Sequence, residues 1–242
     1  MTKKILITIC ARGGSKGIPG KNIKSINGLP LISYSIKMAR AFQQKYLNTD
    51  LVLSTDSAKI QAVAADLGLP SSYKRPAELA NDTAGKIAAL RHVWQHEEQS
   101  QNVKYDYVLD LDVTSPLRTL ADLEAGLALI EADPNALNLF SVSAPHRNPY
   151  FNMVEAQPNG YFSTVRQLGA AVLSRQQAPK VYDINGSFYF YRRLFFEIGL
   201  QSAITDRTLI YEVPHVCFDL DEPIDFDFLE YLLVNQKLPF EV

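Results

Sequence analysis

Through the first half of this chain, short β-branched runs alternate with stretches whose apolar residues recur at helical spacing. Ile5 to Ile9 predicts a strand, and Pro30 to Phe42 predicts a helix with Ile32, Ile36 and Ala39 on one face. Leu51 to Leu53 predicts the next strand. Ser57 then stands as an N-cap before Ile60, Val63, Ala64 and Leu67, which keep the i, i+3, i+4, i+7 rhythm. Asn81-Asp82-Thr83 is placed to cap a helix carrying Ile87, Leu90 and Trp94, and Tyr107 to Leu111 follows as a buried strand. Thr119 with Asp122 forms a capping-box pattern before Leu123, Leu127 and Ile130, leading to the run Leu137 to Val142. This alternation predicts an α/β sandwich with a mostly parallel sheet.

From 145 to 182 the rhythm breaks into prolines, glycines and weak strand signals, which predicts an arm. Ser187 to Tyr191 restores a strand, with half of Phe188-Tyr189-Phe190-Tyr191 expected in the core. A closing helix carries Phe226, Leu229 and Leu233 on one side. The expected division is a main domain of 1–144 and 183–242 with an arm inserted over 145–182.

Composition narrows the function classes. With 47% apolar and 21% charged residues over 242 positions, the chain has an ordinary globular balance. Twenty-four Lys and Arg against 26 Asp and Glu leave a formal charge of −2, which disfavours a sequence-independent nucleic-acid binder. Cys10 and Cys217 make no C-x-x-C pair and sit in apolar runs, as in a reducing compartment. No 18-residue apolar run predicts a membrane span, and the opening Met1-Thr2-Lys3-Lys4 lacks a secretion-signal pattern. A cytoplasmic protein that engages neither membrane nor nucleic acid is expected.

Chemistry concentrates after predicted strands, where open α/β sheets bind ligands. The first loop, Ala11-Arg12-Gly13-Gly14-Ser15-Lys16-Gly17-Ile18-Pro19-Gly20-Lys21-Asn22, combines four glycines with three cations. Glycines let backbone N–H groups approach an anion, and Arg12, Lys16 and Lys21 can neutralise phosphate charge, so a polyphosphate ligand is inferred over a flexible solvated loop. The spacing matches neither the P-loop nor the dinucleotide G-x-G-x-x-G. Asp110-Leu111-Asp112 ends another strand with both carboxylates on one face, able to hold a divalent cation, accept from sugar hydroxyls, cap a helix or pair with Arg118. Asp219-Leu220-Asp221 also places two carboxylates on one strand face, although Asp221 and Glu222 before Pro223 equally suit a helix start. The four histidines show no zinc spacing and are read as structural, and Cys10 as core packing.

Together, the loop Ala11 to Asn22, the segment Arg75 to Thr83, the run Thr114 to Arg118 and the Asp219-Leu220-Asp221 ending resemble the CMP-sialic acid synthetase, or acylneuraminate cytidylyltransferase, family. They occur in the family's order and span nearly the whole chain. The resemblance implies a Rossmann-like, GT-A-like nucleotidyltransferase fold in three layers, with the arm forming a homodimer. It also implies a Mg²⁺-dependent reaction of CTP with a nine-carbon 2-keto sugar acid, giving the CMP-sugar and pyrophosphate. By similarity, Arg12, Ser15, Lys16 and Lys21 hold the triphosphate, with Asn22, Arg75 and Asn81 around the cytidine, and Ala11, Gly13, Asp82 and Thr83 complete the nucleotide-binding set. Asp219 and Asp221 hold the metal. Arg12, Lys16, Lys21 and Asp219 form the catalytic set, while the base for the attacking hydroxyl stays open between Asp219 and a metal-acidified hydroxyl.

Departures from the family concern the sugar. Asp112-Val113 replaces the usual Gln-Pro of Leu-Gln-Pro-Thr-Ser-Pro-Leu-Arg, Asn148-Pro149-Tyr150-Phe151 replaces His-Pro-Leu-Lys, and Asp183 stands where an arginine is usual. The sugar-binding set expected is Asp112, Arg147, Tyr150, Phe151, Arg175, Lys180, Asp183 and Asn185. These segments look most like the legionaminic-acid branch, so diacetyllegionaminate is favoured over N-acetylneuraminate. Two further readings stay open: a nucleotide-sugar glycosyltransferase using Asp110-x-Asp112 as its metal motif, and a nucleotide-binding module without turnover.

Overall fold

Alternation along β1 (Ile5–Cys10) sets the layers: Ile5, Ile7 and Ile9 enter one apolar core while Leu6 enters another across the sheet. The computed structural model describes residues 3–14, 17–81, 83–169, 172 and 174–242, so Ser15, Lys16 and Asp82 lie outside the described residues. After β1 come β2 (Ser25–Ile26), β3 (Leu29–Pro30), α1 (Ile32–Lys45), β4 (Thr49–Ser54) and α2 (Ala58–Asp66). Next are α3 (Lys86–Gln101), β5 (Tyr107–Asp112), α4 (Leu120–Ala132) and β6 (Asn138–Ser143). The chain continues through β7 (Val154–Ala156), β8 (Phe162–Thr164), β9 (Asp183–Arg192), α5 (Arg193–Glu197), β10 (Thr208–Glu212) and α6 (Pro223–Val234).

The main sheet runs β10-β6-β9-β5-β1-β4, with β9 antiparallel to both neighbours and the other pairs parallel. One core packs its face beneath α1, α2, α4 and α6, through Phe42, Ile60, Leu127 and Leu229. The second lies beneath α3 and α5, through Leu90, Val93, Trp94, Phe195 and Phe196. Three layers result, as the resemblance implies. Because β1 pairs with β4 on one side and β5 on the other, the strand order reverses there and leaves a crevice at their carboxyl ends.

Local chemistry explains several boundaries. The Ser57 hydroxyl accepts from the Ile60 N–H, and Thr119 with Asp122 makes a reciprocal capping box. Pro223 opens α6 behind Glu222. In the segment 145–182, β7 and β8 form their own antiparallel hairpin outside the main sheet.

Other expectations are corrected. Asn81 does not cap α3, whose N-cap is Gly85. Its side-chain oxygen accepts from the Thr83 and Ala84 N–H groups and fixes the preceding turn. Residues 219–221 are not a strand, because no ladder forms there and the Leu220 N–H donates instead to the Thr114 carbonyl. The edge strand β10 carries only a weak burial alternation and leaves no clear sequence signal. Three of the four aromatics at 188–191 are buried, since β9 is sandwiched between strands and covered on both faces.

Candidate active site

The three strand ends at the crevice fall in register, with Cys10 beside Ser54 on β4 and beside Asp112 on β5. They open into a cavity of about 330 Å³ that brings together Arg12, Lys21, Asn22, Arg75, Asn81, Asp112, Asp219 and Asp221.

One wall is cationic. Asn22 is buried and donates its amide to the Arg12 carbonyl, which ties the two ends of the glycine-rich loop. Lys21 donates to the Leu220 carbonyl and lies 3.5 Å from Asp221 Oδ1. Arg75, only 6% exposed, donates Nε to the Ser54 hydroxyl and Nη2 to the Ser54 carbonyl, clamping the end of β4. Ala11 is buried and its N–H donates to the Ser54 carbonyl, while the Gly13 N–H donates to Asp56. Gly13 has little room for a side chain, because a Cβ there would lie 3.0 Å from the Ser57 Cβ. Thr83 is exposed and spends its hydroxyl on Asn81.

The opposite wall is acidic. Burial raises the Asp219 carboxyl above its ordinary value, with Asp112 and Asp221 adding to the effect while Thr114 and Lys21 oppose it. Asp219 Oδ1 is buried without a hydrogen-bond partner. Asp221 is exposed at the rim. Among the described residues no group of three or more His, Cys, Asp or Glu is arranged to hold a metal ion. The donor set that fits a hard cation is therefore the orphaned Asp219 oxygen with Asp221, leaving most ligand positions to a substrate.

Asp110 and Asp112 do share a face, the one turned to α3, and there they grip Lys86. Its Nζ lies 2.8 Å from Asp110 Oδ2 and 2.8 Å from Asp112 Oδ2. Burial opposes the Lys86 charge, but the two carboxylates outweigh it and hold the ammonium well above its ordinary pKa. Burial likewise opposes the Asp112 charge, and Lys86 with Thr114 overcomes it and holds that carboxyl below its ordinary value. A metal-binding D-x-D is thereby displaced, because an ammonium occupies the space between the carboxylates. Arg118 pairs with neither carboxylate. It is fully buried and donates to the carbonyls of Asp112 and Ser115 and to the Ser35 hydroxyl.

Lys86 is the site residue that sequence reasoning missed. Its signal is a cation in the first turn of a helix, where the helix dipole disfavours positive charge. Cys10 was expected in the core but lines the cavity, where burial and then Asp110 push its thiol up to about 12. It stays protonated and unreactive.

The remaining candidates lie elsewhere. Tyr150 and Phe151 line a separate cavity with Thr164, Arg166 and Leu168. Arg147, Arg175 and Lys180 are exposed, and Arg175 donates to the His146 carbonyl. Asn185 is 5% exposed and bonds Ser141 and Ser143, serving the sheet. Asp183 is exposed at the start of β9.

A cationic loop facing carboxylates across the switch point of a three-layer α/β fold defines a nucleotidyltransferase-type site. The family model described as Cytidylyltransferase matches residues 6–236, and the chain belongs to that family. It is 37% identical over 236 residues to the CMP-N,N'-diacetyllegionaminic acid synthase of Campylobacter jejuni, covering 97% of each chain. It is 36% identical, with the same coverage, to the Post-translational flagellin modification protein B of Campylobacter coli. The fold is shared with a CMP:2-keto-3-deoxy-manno-octonic acid synthetase solved with CTP, at a TM-score of 0.67 and 19% identity over 97% of this chain and all of that one.

Proposed function

We propose that this enzyme activates a nonulosonic acid with CTP, releasing pyrophosphate and forming the CMP-sugar, with N,N'-diacetyllegionaminate as the preferred acceptor. The observation that carries the reading is the cavity itself, which Arg12, Lys21 and Arg75 line together with Asp219 and Asp221, Lys21 already touching the acidic segment through Leu220 and Asp221. Arg12 and Lys21, with Lys16 from the same loop, bind and orient the triphosphate so that the α-phosphate meets the sugar's anomeric hydroxyl in line. The oxygen of that hydroxyl forms the new P–O bond, the bond from the α-phosphorus to the bridging oxygen breaks, and pyrophosphate leaves. Asn22, Arg75 and Asn81 border the cytidine end.

Asp219 and Asp221 are the residues to hold Mg²⁺ or another divalent cation, which when bound neutralises charge at the α-phosphate and departing pyrophosphate. The unpartnered Asp219 oxygen supports this assignment. The hydroxyl proton goes to Asp219 or, once the bound cation has acidified the hydroxyl, to water.

The expected assembly is a homodimer formed by the arm of 145–182. Support comes from apolar side chains left in water there: Val154 is 62% exposed, Tyr161 75% and Phe162 70%. Arg147, Arg175 and Lys180 then reach a neighbouring subunit's sugar site with Tyr150 and Phe151. No described helix is long and apolar enough to cross a membrane, in keeping with cytoplasmic synthesis.

The test is pyrophosphate release from CTP and Mg²⁺ with diacetyllegionaminate, N-acetylneuraminate or no sugar. Release that requires a sugar, with higher kcat/KM for diacetyllegionaminate, is expected. Preference for N-acetylneuraminate would overturn the acceptor, and tight CTP binding without release in any well would overturn the activity.

A further inference from the structure

Lys86 and Asp112 stand side by side in the cavity with hydrogen-bonding capacity left over. Asp110, fully buried, accepts from the Thr8 hydroxyl at 2.7 Å through Oδ1 and holds Lys86 through Oδ2. Lys86 and Asp112 instead keep 33% and 25% of their side-chain surfaces exposed and line the cavity. The Lys86 ammonium carries three N–H donors, of which Asp112 Oδ2 takes one, while Asp110 Oδ2 pairs with it by charge at 2.8 Å without accepting a hydrogen bond. Asp112 Oδ1 accepts from the Thr114 N–H and hydroxyl, both at 3.1 Å, and Oδ2 accepts from Lys86. A carboxylate has about four acceptor positions, so about one is left. The Tyr189 ring, 4.4 Å from Nζ, adds an electron-rich face that steadies the cation.

A spare donor and a spare acceptor on atoms 2.8 Å apart match a group that accepts and donates at a single atom. A hydroxyl does this. A trans amide does not, since its N–H and C=O point in opposite directions. We propose that Lys86 and Asp112 form a clamp for one ligand hydroxyl, Lys86 donating to its oxygen and Asp112 accepting its proton. The clamp rests on the proposed function for its two possible sources, a ribose hydroxyl of CTP or a hydroxyl of the acceptor sugar. The ion triad sets its geometry: Asp110 anchors Lys86 from the sealed side, and Thr114 fixes the Asp112 rotamer.

Lys86→Met and Asp112→Asn test the clamp, the second keeping Lys86 paired with the buried Asp110 should the first fail to fold. CTP, 2'-deoxyCTP and 3'-deoxyCTP are titrated calorimetrically with Mg²⁺, and KM is measured for the sugar. One charge-assisted contact corresponds to a loss of roughly 10- to 100-fold. With a ribose hydroxyl clamped, the wild type binds one deoxy nucleotide that much more weakly than CTP, and Asp112→Asn erases the preference. With a sugar hydroxyl clamped, nucleotide binding is unchanged in Asp112→Asn and the sugar KM rises by that factor. Unchanged nucleotide binding together with unchanged sugar KM overturns the proposal. So does a joint rise for both substrates with a lowered Tm, which marks a purely structural pair. A wild-type enzyme that releases no pyrophosphate with any nonulosonic acid overturns the proposed function instead, and the nucleotide titrations, needing no turnover, then decide the clamp on the ribose alone.

Discussion

Gly17 packs so closely against Asp221 that a Cβ on the glycine would lie 2.8 Å from the Asp221 carbonyl oxygen. The glycine-rich loop and the acidic segment are therefore held at a spacing only glycine permits, since real Cβ atoms do not approach backbone oxygen that closely. Gly17→Ala should push the two walls apart, lowering kcat/KM for CTP at least tenfold while Tm changes little. Activity and thermal melting measured on the same preparation check this, and an unchanged kcat/KM would show that the spacing does not matter.

Lys21 joins these walls from the other side, through the Leu220 carbonyl and Asp221. Lys21→Ala should slow pyrophosphate release by about 2–4 kcal/mol of transition-state stabilisation, a factor of roughly 30 to 1,000. Single-turnover kinetics at saturating CTP isolate that step, and a wild-type rate would remove Lys21 from the catalytic set.

Outside the site, His215 Nε2 lies 2.9 Å from the buried Asp122, which also accepts from Tyr211 and Thr119. Burial opposes the His215 charge, but the bond to Asp122 outweighs it, so the imidazole pKa is raised above 6.5. Because the folded value exceeds the unfolded one, the stabilisation is complete below about pH 6.5 and disappears as pH rises through the raised native value. The Tm difference between wild type and His215→Gln should accordingly shrink from pH 6 to pH 9. A difference constant across that range would refute the link.

Arg118 spans α1, β9 and the segment after β5 with one guanidinium, donating to Ser35, Ser187, Ser115 and Asp112. Lysine lacks the planar fork for these bonds, so Arg118→Lys should destabilise the fold by about 2–4 kcal/mol. Denaturant unfolding with an unchanged slope is the measurement, and a loss under about 1 kcal/mol would contradict it.

The arm yields an assembly prediction. Phe162→Glu with Tyr161→Glu should convert the expected dimer to a monomer in light scattering while the main sheet keeps its circular dichroism. Mixing Lys21→Ala subunits with Arg175→Ala subunits should restore activity if Arg175 serves a neighbour's site. A dimeric mass for the double variant would show that contact lies elsewhere, and mixed subunits that stay inactive would remove Arg175 from that role.

Much was legible along the chain because it depends on neighbours in sequence. Periodicity gave β1, α1, β4, α2, β5 and α4, since a strand or helix must turn its apolar residues to one side. The Ser57 cap and the Thr119–Asp122 box lie within four residues of their partners. Glycines and cations between Ala11 and Asn22 marked a loop whose Arg12, Lys21 and Asn22 line the cavity, and two aspartates in one strand had to share a face. Tertiary structure alone decided what those groups meet. No spacing joins Lys86 to Asp110 and Asp112, which it reaches only because α3 covers that face of β5. Nor does any spacing bring Asp219 toward Asp112 or Gly17 against Asp221, pairs that lie far apart along the chain. Local sequence dictates element type through backbone sterics and apolar spacing. Which distant charges become partners is set by strand order and by the helix that packs above, and only the assembled sheet fixes these.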